Sequence, residues 1–264
     1  MSNAKQCYQR IHKTLKEQAP GEVKGQAARR LIVFAMMIVG LIRAGHASLG
    51  KISDKSPKYG TTQTQSRIQR YTRWIKQEAN EAELLYFPYI KFILAGLSKF
   101  ELLFSIDASA LGKHCAVLMI SVVYKQRALP VLWLVREGNK GVFSEAEHLK
   151  LLGKLQGLLA ELALCLDYPL LVNVLGDGEF DGVKVQAYCR KQGCFYVLRA
   201  SQNAYCYAEE QQAFKARDLA AQGHVISIPE LAYTEARHAH VHLLVVWHQD
   251  YQDAIYLVSN IELA

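Results

Sequence analysis

The sequence predicts an α/β protein, with a helical N-terminal domain ahead of a mixed β-sheet. Three observations predict it. Hydrophobic spacing is helical in the first third and changes to short apolar strand-like runs from about residue 100. Those runs fall in the order β-β-β-α-β-α-β, and three meandering strands followed by α/β crossovers build a mixed sheet. Charge divides at the same place. Residues 1–100 carry 17 Lys and Arg against 6 Asp and Glu, a net of +11, while residues 101–264 carry 14 against 18, a net of −4. Three regions follow: a helical domain over 1–98, a core over 99–200 and a β-rich region over 201–264.

Residues 5–18 place Ile11 and Leu15 among Lys and Arg and read as a short helix that Pro20-Gly21 ends. Residues 29–43 form a strongly apolar helix closed by Gly45, and 48–52 add one helical turn. Residues 54–60 contain Lys-Ser-Pro-Lys-Tyr-Gly and are a loop. Thr62 with Gln65 makes a capping box for a helix over 62–77. Ile68, Tyr71 and Ile75 share one face of it. The opposite face collects Gln63, Ser66, Arg67, Arg70, Arg73 and Trp74, side chains of the kinds that bond phosphates and base edges. Helix, turn and basic helix resemble a helix-turn-helix. An ordinary amphipathic helix with a solvated basic face is the alternative. The +11 block favours a polyanion partner, with Gln63, Arg67, Arg70 and Arg73 as the DNA-binding candidates.

In the core, 102–108, 116–124 and 128–136 are strands, the third behind a Gln-Arg turn. Ser144 with Glu147 makes a second capping box, and a leucine-rich helix runs to about Leu166. Residues 170–175 are a fourth strand stopped by Gly176-Asp177-Gly178, 182–191 are helical, and 194–199 are a fifth strand. Further on, 224–228, 241–247 and 255–258 read as three strands with polar connections. The longest apolar run, 31–42, has 12 residues, short of the ~20 a membrane span needs. It also starts too far into the chain for a secretory signal, so a soluble, cytoplasmic protein without a membrane partner is expected. The six cysteines include no C-x-x-C pair and read as reduced, mostly buried thiols.

Asp107 and Asp177 each end an apolar run. An ionised carboxylate inside a sheet is costly unless paired or metal-bound, and the carboxyl ends of strands are where α/β ligand sites form. If their strands are parallel neighbours, the two carboxylates lie side by side, and a divalent cation relieves their repulsion. Hard oxygen ligands favour Mg²⁺ or Mn²⁺. Simple capping of the following turns accounts for the same pattern. His238, His240 and His242 alternate and share a strand face, which fits a solvated strand better than zinc. Trp247 reads as a core residue ahead of a base-stacking one.

Four stretches occur in register: Ser105-Ile106-Asp107-Ala108-Ser109, Arg127-Ala128-Leu129-Pro130-Val131, Gly176-Asp177-Gly178-Glu179-Phe180-Asp181-Gly182 and Tyr196-Val197-Leu198-Arg199. Together they resemble the DDE transposases of bacterial insertion sequences, the branch that excises DNA through hairpin ends. The likeness covers about residues 30–260. It implies a ribonuclease H-like catalytic core, an N-terminal domain that binds transposon ends, and a β-rich insertion over 201–258. It further implies that Asp107 and Asp177 are the first two metal-binding carboxylates, that Arg127 and Arg199 hold DNA phosphates, and that the protein is a homodimer on double-stranded DNA in the nucleoid. The family's third carboxylate belongs to a Tyr-x-x-Arg-x-x-x-Glu-x-x-x-x-x-x-Lys helix after the insertion, and no such pattern occurs in these 264 residues. Glu262 lacks the flanking residues, and Glu179 and Asp181 are spare acids within a Gly-bracketed turn. Two functions therefore stand: a metal-dependent transposase, or a truncated, inactive transposase acting as a DNA-binding regulator or competitor. A nuclease of the same fold that uses Asp107, Asp177 and one local acid is a third.

Overall fold

The computed structural model describes residues 3–19, 21–57, 63–80, 85–112, 114–139, 141, 143–208, 213–235 and 239–261. Thr62, His238 and Glu262 lie outside them. The chain forms two compact units, Met1–Leu94 and Ala95–Ala264.

The first unit is helical: α1 (Asn3–Glu17), α2 (Gly25–Ala44), α3 (Leu49–Lys55), α4 (Thr64–Ile75) and most of α5 (Phe87–Leu97), a helix the sequence reading leaves unassigned. Its core is Tyr8, Leu15, Leu31, Ala35, Met36 and Val39 with Ile52 and Tyr71. The apolar run at 31–42 thus buries one stripe of α2 in this core, and among the described residues no single helix is long and apolar enough to cross a membrane. Helix α3 approaches α2 so closely that a Cβ at Gly40 would overlap the Ile52 carbonyl oxygen and stand 2.8 Å from its Cγ2. Glycine in mid-helix costs roughly 1 kcal/mol of helix propensity, and here that cost permits the close crossing.

Helix α4 begins at Thr64 with Gln63 at its N-cap, and its inward face differs from the expected one. Tyr71 is fully buried and Arg67 is only 3% exposed, whereas Ile75 is 54% exposed. Arg67 Nε donates to Ser53 Oγ (3.4 Å) and Nη2 to Thr64 Oγ1 (3.2 Å). Tyr71 OH donates to Ser56 Oγ (2.7 Å). Trp74 stacks on Phe34 at 5.2 Å and donates its Nε1–H to Arg30 O (2.9 Å). The helix therefore docks through Arg67, Tyr71 and Trp74, spaced i, i+4, i+7: Arg67 Nε and Nη2, the Tyr71 hydroxyl and the Trp74 Nε1–H each find a partner.

The second unit carries one ten-stranded mixed sheet with spatial order β3-β2-β1-β4-β5-β10-β9-β8-β6-β7. Strands β1 (Leu102–Leu111), β2 (Cys115–Tyr124) and β3 (Arg127–Glu137) form an antiparallel meander. Strands β4 (Val172–Gly176) and β5 (Phe195–Arg199) continue it parallel to β1. The helices α6 (Glu145–Ala163) and α7 (Val183–Lys191) make the two crossovers and pack on each other. The Ser144–Glu147 capping box is present at the start of α6. Past residue 200 come β6 (Tyr205–Tyr207), β7 (Phe214–Lys215), β8 (Val225–Tyr233), β9 (Ala239–Val246) and β10 (Ile255–Ser259). These do not form a separate layer. Strand β10 pairs antiparallel with β5, and the rest extend the same sheet. All six cysteines are free, and burial pushes the thiols of Cys189, Cys194 and Cys206 up.

Alternation assigns the faces of the sheet. Phe104, Ile106, Leu118, Ile120, Val174 and Leu198 are buried on one face. A Cβ on Gly176 would come within 2.9 Å of both Leu198 and Phe180. Phe180, fully buried, also meets the ring of His148 on α6 at 4.7 Å. Gly176 thus lets the turn after β4 fold its phenylalanine beneath the sheet, on the face α6 covers.

Candidate active site

The register places three charged residues in one row. Strand β1 pairs with β4 up to Ile106↔Gly176, and β4 with β5 up to Gly176↔Leu198. The next residue on each is Asp107, Asp177 and Arg199. Asp107 and Arg199 each stand one step past a residue of the α6-covered face, so alternation puts both on the opposite face, while Asp177 is the first residue past the end of β4. Neighbouring strands are about 4.8 Å apart, so the last paired residues before these three, Ile106, Gly176 and Leu198, are adjacent across the sheet. Asp107 and Arg199 are exposed and Asp177 is half-buried.

Asp107 does not end its strand as expected. Strand β1 continues to Leu111, paired with β2 alone. What ends at Asp107 is the parallel partner, since β4 stops at Gly176 and Asp177 begins a turn. The step between a continuing and a finished strand leaves Asp107 accessible. Ser109 Oγ donates to Asp107 Oδ2 (2.7 Å). Asp177 Oδ1 accepts the Glu179 N–H (3.0 Å), and its carbonyl accepts the Phe180 N–H (3.0 Å). Capping of the turn by Asp177 therefore holds together with its place beside Asp107.

Arg127 is not brought to this row. It follows a two-residue hairpin turn in which Lys125 and Gln126 have φ of 47° and 63°, so the turn is Lys-Gln where Gln-Arg was expected. Arg127 pairs with Tyr124, while Asp107 pairs with Met119. Five residues of strand separate those levels, roughly 17 Å, at the opposite end of the sheet. On α4, Gln63, Arg70 and Arg73 are exposed. Arg67 is buried and cannot meet a ligand at the surface in this conformation.

The neighbouring acids are engaged in the fold. Glu179 Oε1 lies 3.9 Å from His148 Nε2. Burial pushes the His148 imidazole below its ordinary 6.5, against the pull of Glu145, Glu147 and Asp177, so the two are not a full ion pair at neutral pH. Asp181 Oδ2 accepts from Tyr233 OH (2.9 Å) and Ser201 N (3.4 Å). Among the described residues no group of three or more His, Cys, Asp and Glu is arranged to hold a metal ion. Asp107 on β1 and Asp177 just past β4 are carboxylates, the hard oxygen donors that a divalent cation takes. Of the alternating histidines, His240 is exposed and His242 half-buried on β9. Trp247 is half-buried and donates Nε1–H to Tyr251 O (3.1 Å).

No protein-family profile and no curated protein matches the chain. Among solved structures it is similar to a piggyBac transposase synaptic complex with hairpin DNA, at 12% identity and a TM-score of 0.43, over 99% of this chain and 58% of that one. It is also similar to human endonuclease V, at 15% identity and a TM-score of 0.32 over 61% and 70%. The third is a Ciona intestinalis endonuclease V bound to an inosine-containing DNA, at 12% identity and a TM-score of 0.32 over 72% and 83%. The chain thus spans less than two thirds of the piggyBac transposase. At these identities and scores none of the three fixes a function for it.

Proposed function

We propose that this chain is a DNA transposase of the insertion-sequence type, with a ribonuclease H-like core over 99–200 and a DNA-binding helical domain over 1–98. One observation supports the reading: Asp107, Asp177 and Arg199 each follow directly on the last parallel pairs of three neighbouring strands, Asp177 as the first residue after β4. Asp107 and Asp177 would hold one Mg²⁺ or Mn²⁺. When bound, such an ion supplies Lewis-acid polarisation of a phosphoryl oxygen and an activated water. The other roles belong to the chain itself. Ser109 and the Glu179 amide orient the two carboxylates, and the Arg199 guanidinium would take a phosphate oxygen by a charge-assisted hydrogen bond. Gln63, Arg70 and Arg73 on α4 would meet the double-stranded DNA of the element ends, with the chain acting as a homodimer.

A second reading is favoured by a specific observation. Among the described residues no group of three or more His, Cys, Asp and Glu is arranged to hold a metal ion, and on this second reading the chain is a DNA-binding regulator or competitor. A calorimetric Mn²⁺ titration tests the shared premise. One site is expected, weakened at least 10-fold by Asp107→Asn or Asp177→Asn, in the range by which altering a metal-site residue lowers affinity. Equal Mn²⁺ binding by the variants and the unaltered chain would refute the metal role of the pair.

A further inference from the structure

The turn that carries Asp177 is tied to a strand far from it in the sheet. Strand β8 is three strands from β5 in spatial order, yet its last residue, Tyr233, reaches back to the segment between β4 and α7. Tyr233 is 1% exposed, and its hydroxyl donates to Asp181 Oδ2 at 2.9 Å. The Ser201 amide approaches the same oxygen at 3.4 Å. The Asp181 carbonyl accepts from Gln186 Nε2 (2.7 Å), and Gln186 Oε1 accepts from Tyr196 OH (3.2 Å). Arg190 then donates to Tyr196 OH (3.1 Å) and to the His240 carbonyl on β9. Gln186 and Tyr196 are fully buried. One polar chain therefore runs from β8 through the Asp177 turn, α7 and β5 to β9.

We propose that Tyr233 is a positioning residue for Asp177, acting through Asp181, so that the strands beyond residue 200 hold the candidate metal site in place. The proposal rests on the reading of Asp177 as a metal ligand. Its physical basis is local. Phe180 anchors the middle of the turn beneath the sheet, and Asp181 fixes its far end. Removing the Tyr233 hydroxyl leaves Asp181 Oδ2, in a confined place, with only the long Ser201 contact. A buried acceptor that loses its donor moves or draws in water, and Asp181 is four residues from Asp177 on the same short turn.

The test uses the full chain with Tyr233→Phe, which keeps the ring, and Asp181→Asn as a second variant. Amide hydrogen exchange is read at Glu179 and Phe180, whose N–H groups bond to Asp177, and at Ile106 and Ile120 in the sheet. Both variants are expected to speed exchange about 10-fold at the turn and leave the sheet amides unchanged, with a Mn²⁺ affinity lowered about 10-fold. Unchanged turn amides would overturn the proposal, as would turn and sheet amides accelerating together. So would Tyr233→Phe binding Mn²⁺ normally while Asp177→Asn does not. If Asp177→Asn itself binds Mn²⁺ normally, the metal reading has failed and the positioning of a metal ligand falls with it, whereas the exchange pattern still reports whether the tie to β8 holds the turn.

Discussion

Glu147 gathers three partners at the N-terminus of α6. Its Oε2 accepts from the Ser144 amide (2.9 Å) and the Ser144 hydroxyl (3.0 Å), and Arg136 Nη1 reaches both carboxylate oxygens at 2.9 and 3.0 Å. The Ser144 N–H, aided by its hydroxyl and by Arg136, holds the carboxyl below its ordinary 4.5. A depressed carboxylate contributes stability that is fully present above its unfolded pKa and is lost as pH falls through the folded one. Glu147→Gln should therefore lower the melting temperature at neutral pH, and the gap to the unaltered chain should close as pH drops below about 4.5. Melting curves collected from about pH 7 down to about pH 3 check this, and a gap that stays constant across that range would rule it out. The Ser144–Glu147 box is legible in the sequence because it is local, two residues three apart. Asp181 is not legible in that way. Its partner Tyr233 is 52 residues away, and nothing in the Gly-bracketed turn marks one acid as tied and another as a ligand.

Among the elements, α4 shows where periodicity stops being informative. Apolarity centres its inner face on Ile68, Tyr71 and Ile75, whereas the helix docks through Arg67, Tyr71 and Trp74. Hydrophobic patterning scores arginine as outward, yet a guanidinium can be buried where hydroxyls accept from it, and Ser53 and Thr64 do so. The arginines of this helix should consequently separate into two classes. Arg67→Ala removes a buried brace between α3 and α4 and should cost about 1–3 kcal/mol of stability. Arg70→Ala with Arg73→Ala should leave melting unchanged, weaken binding to end DNA, and reduce the salt slope by about 1 per lost phosphate contact. Thermal melts beside a salt titration separate the two. Equal melting of Arg67→Ala and the unaltered chain, or an unchanged slope in the double variant, would contradict this division. The strands β1 to β5 were legible through their apolar runs and turn signals. Strands β6 and β7, of 3 and 2 residues, are too short to show a period at all.

Across the whole molecule, the order of the core follows from the sequence, but the continuity of the sheet does not. Strands β8 to β10 could be expected as strands from their own residues. That β10 adds to β5 depends on pairing, sealed by Ser259 Oγ donating to Tyr196 O (2.7 Å) and Asn260 Oδ1 accepting the Tyr196 N–H (2.9 Å). The candidate site inherits this division. Asp107 and Asp177 stand out from their apolar runs, whereas the neighbourhood of β1, β4 and β5, and the distance of Arg127 from Asp107, follow only from the register. Two carboxylates suit one cation, and in-line phosphoryl transfer of the two-metal kind needs two ions in fixed places. Asp181 is bonded to Tyr233 and Ser201, so it would have to rearrange to complete a second site. Misplacement by about 1 Å can cost ~10²-fold in rate, and a missing metal ligand should cost more. On the regulator reading the chain binds end DNA and does not cut it. Labelled end DNA is incubated with the chain and Mg²⁺ or Mn²⁺, beside Asp107→Ala. Retarded but intact DNA is the expected result for both. Robust cleavage that Asp107→Ala abolishes would reject the inactive reading and make Glu179, released from His148, the first acid to test as the third ligand.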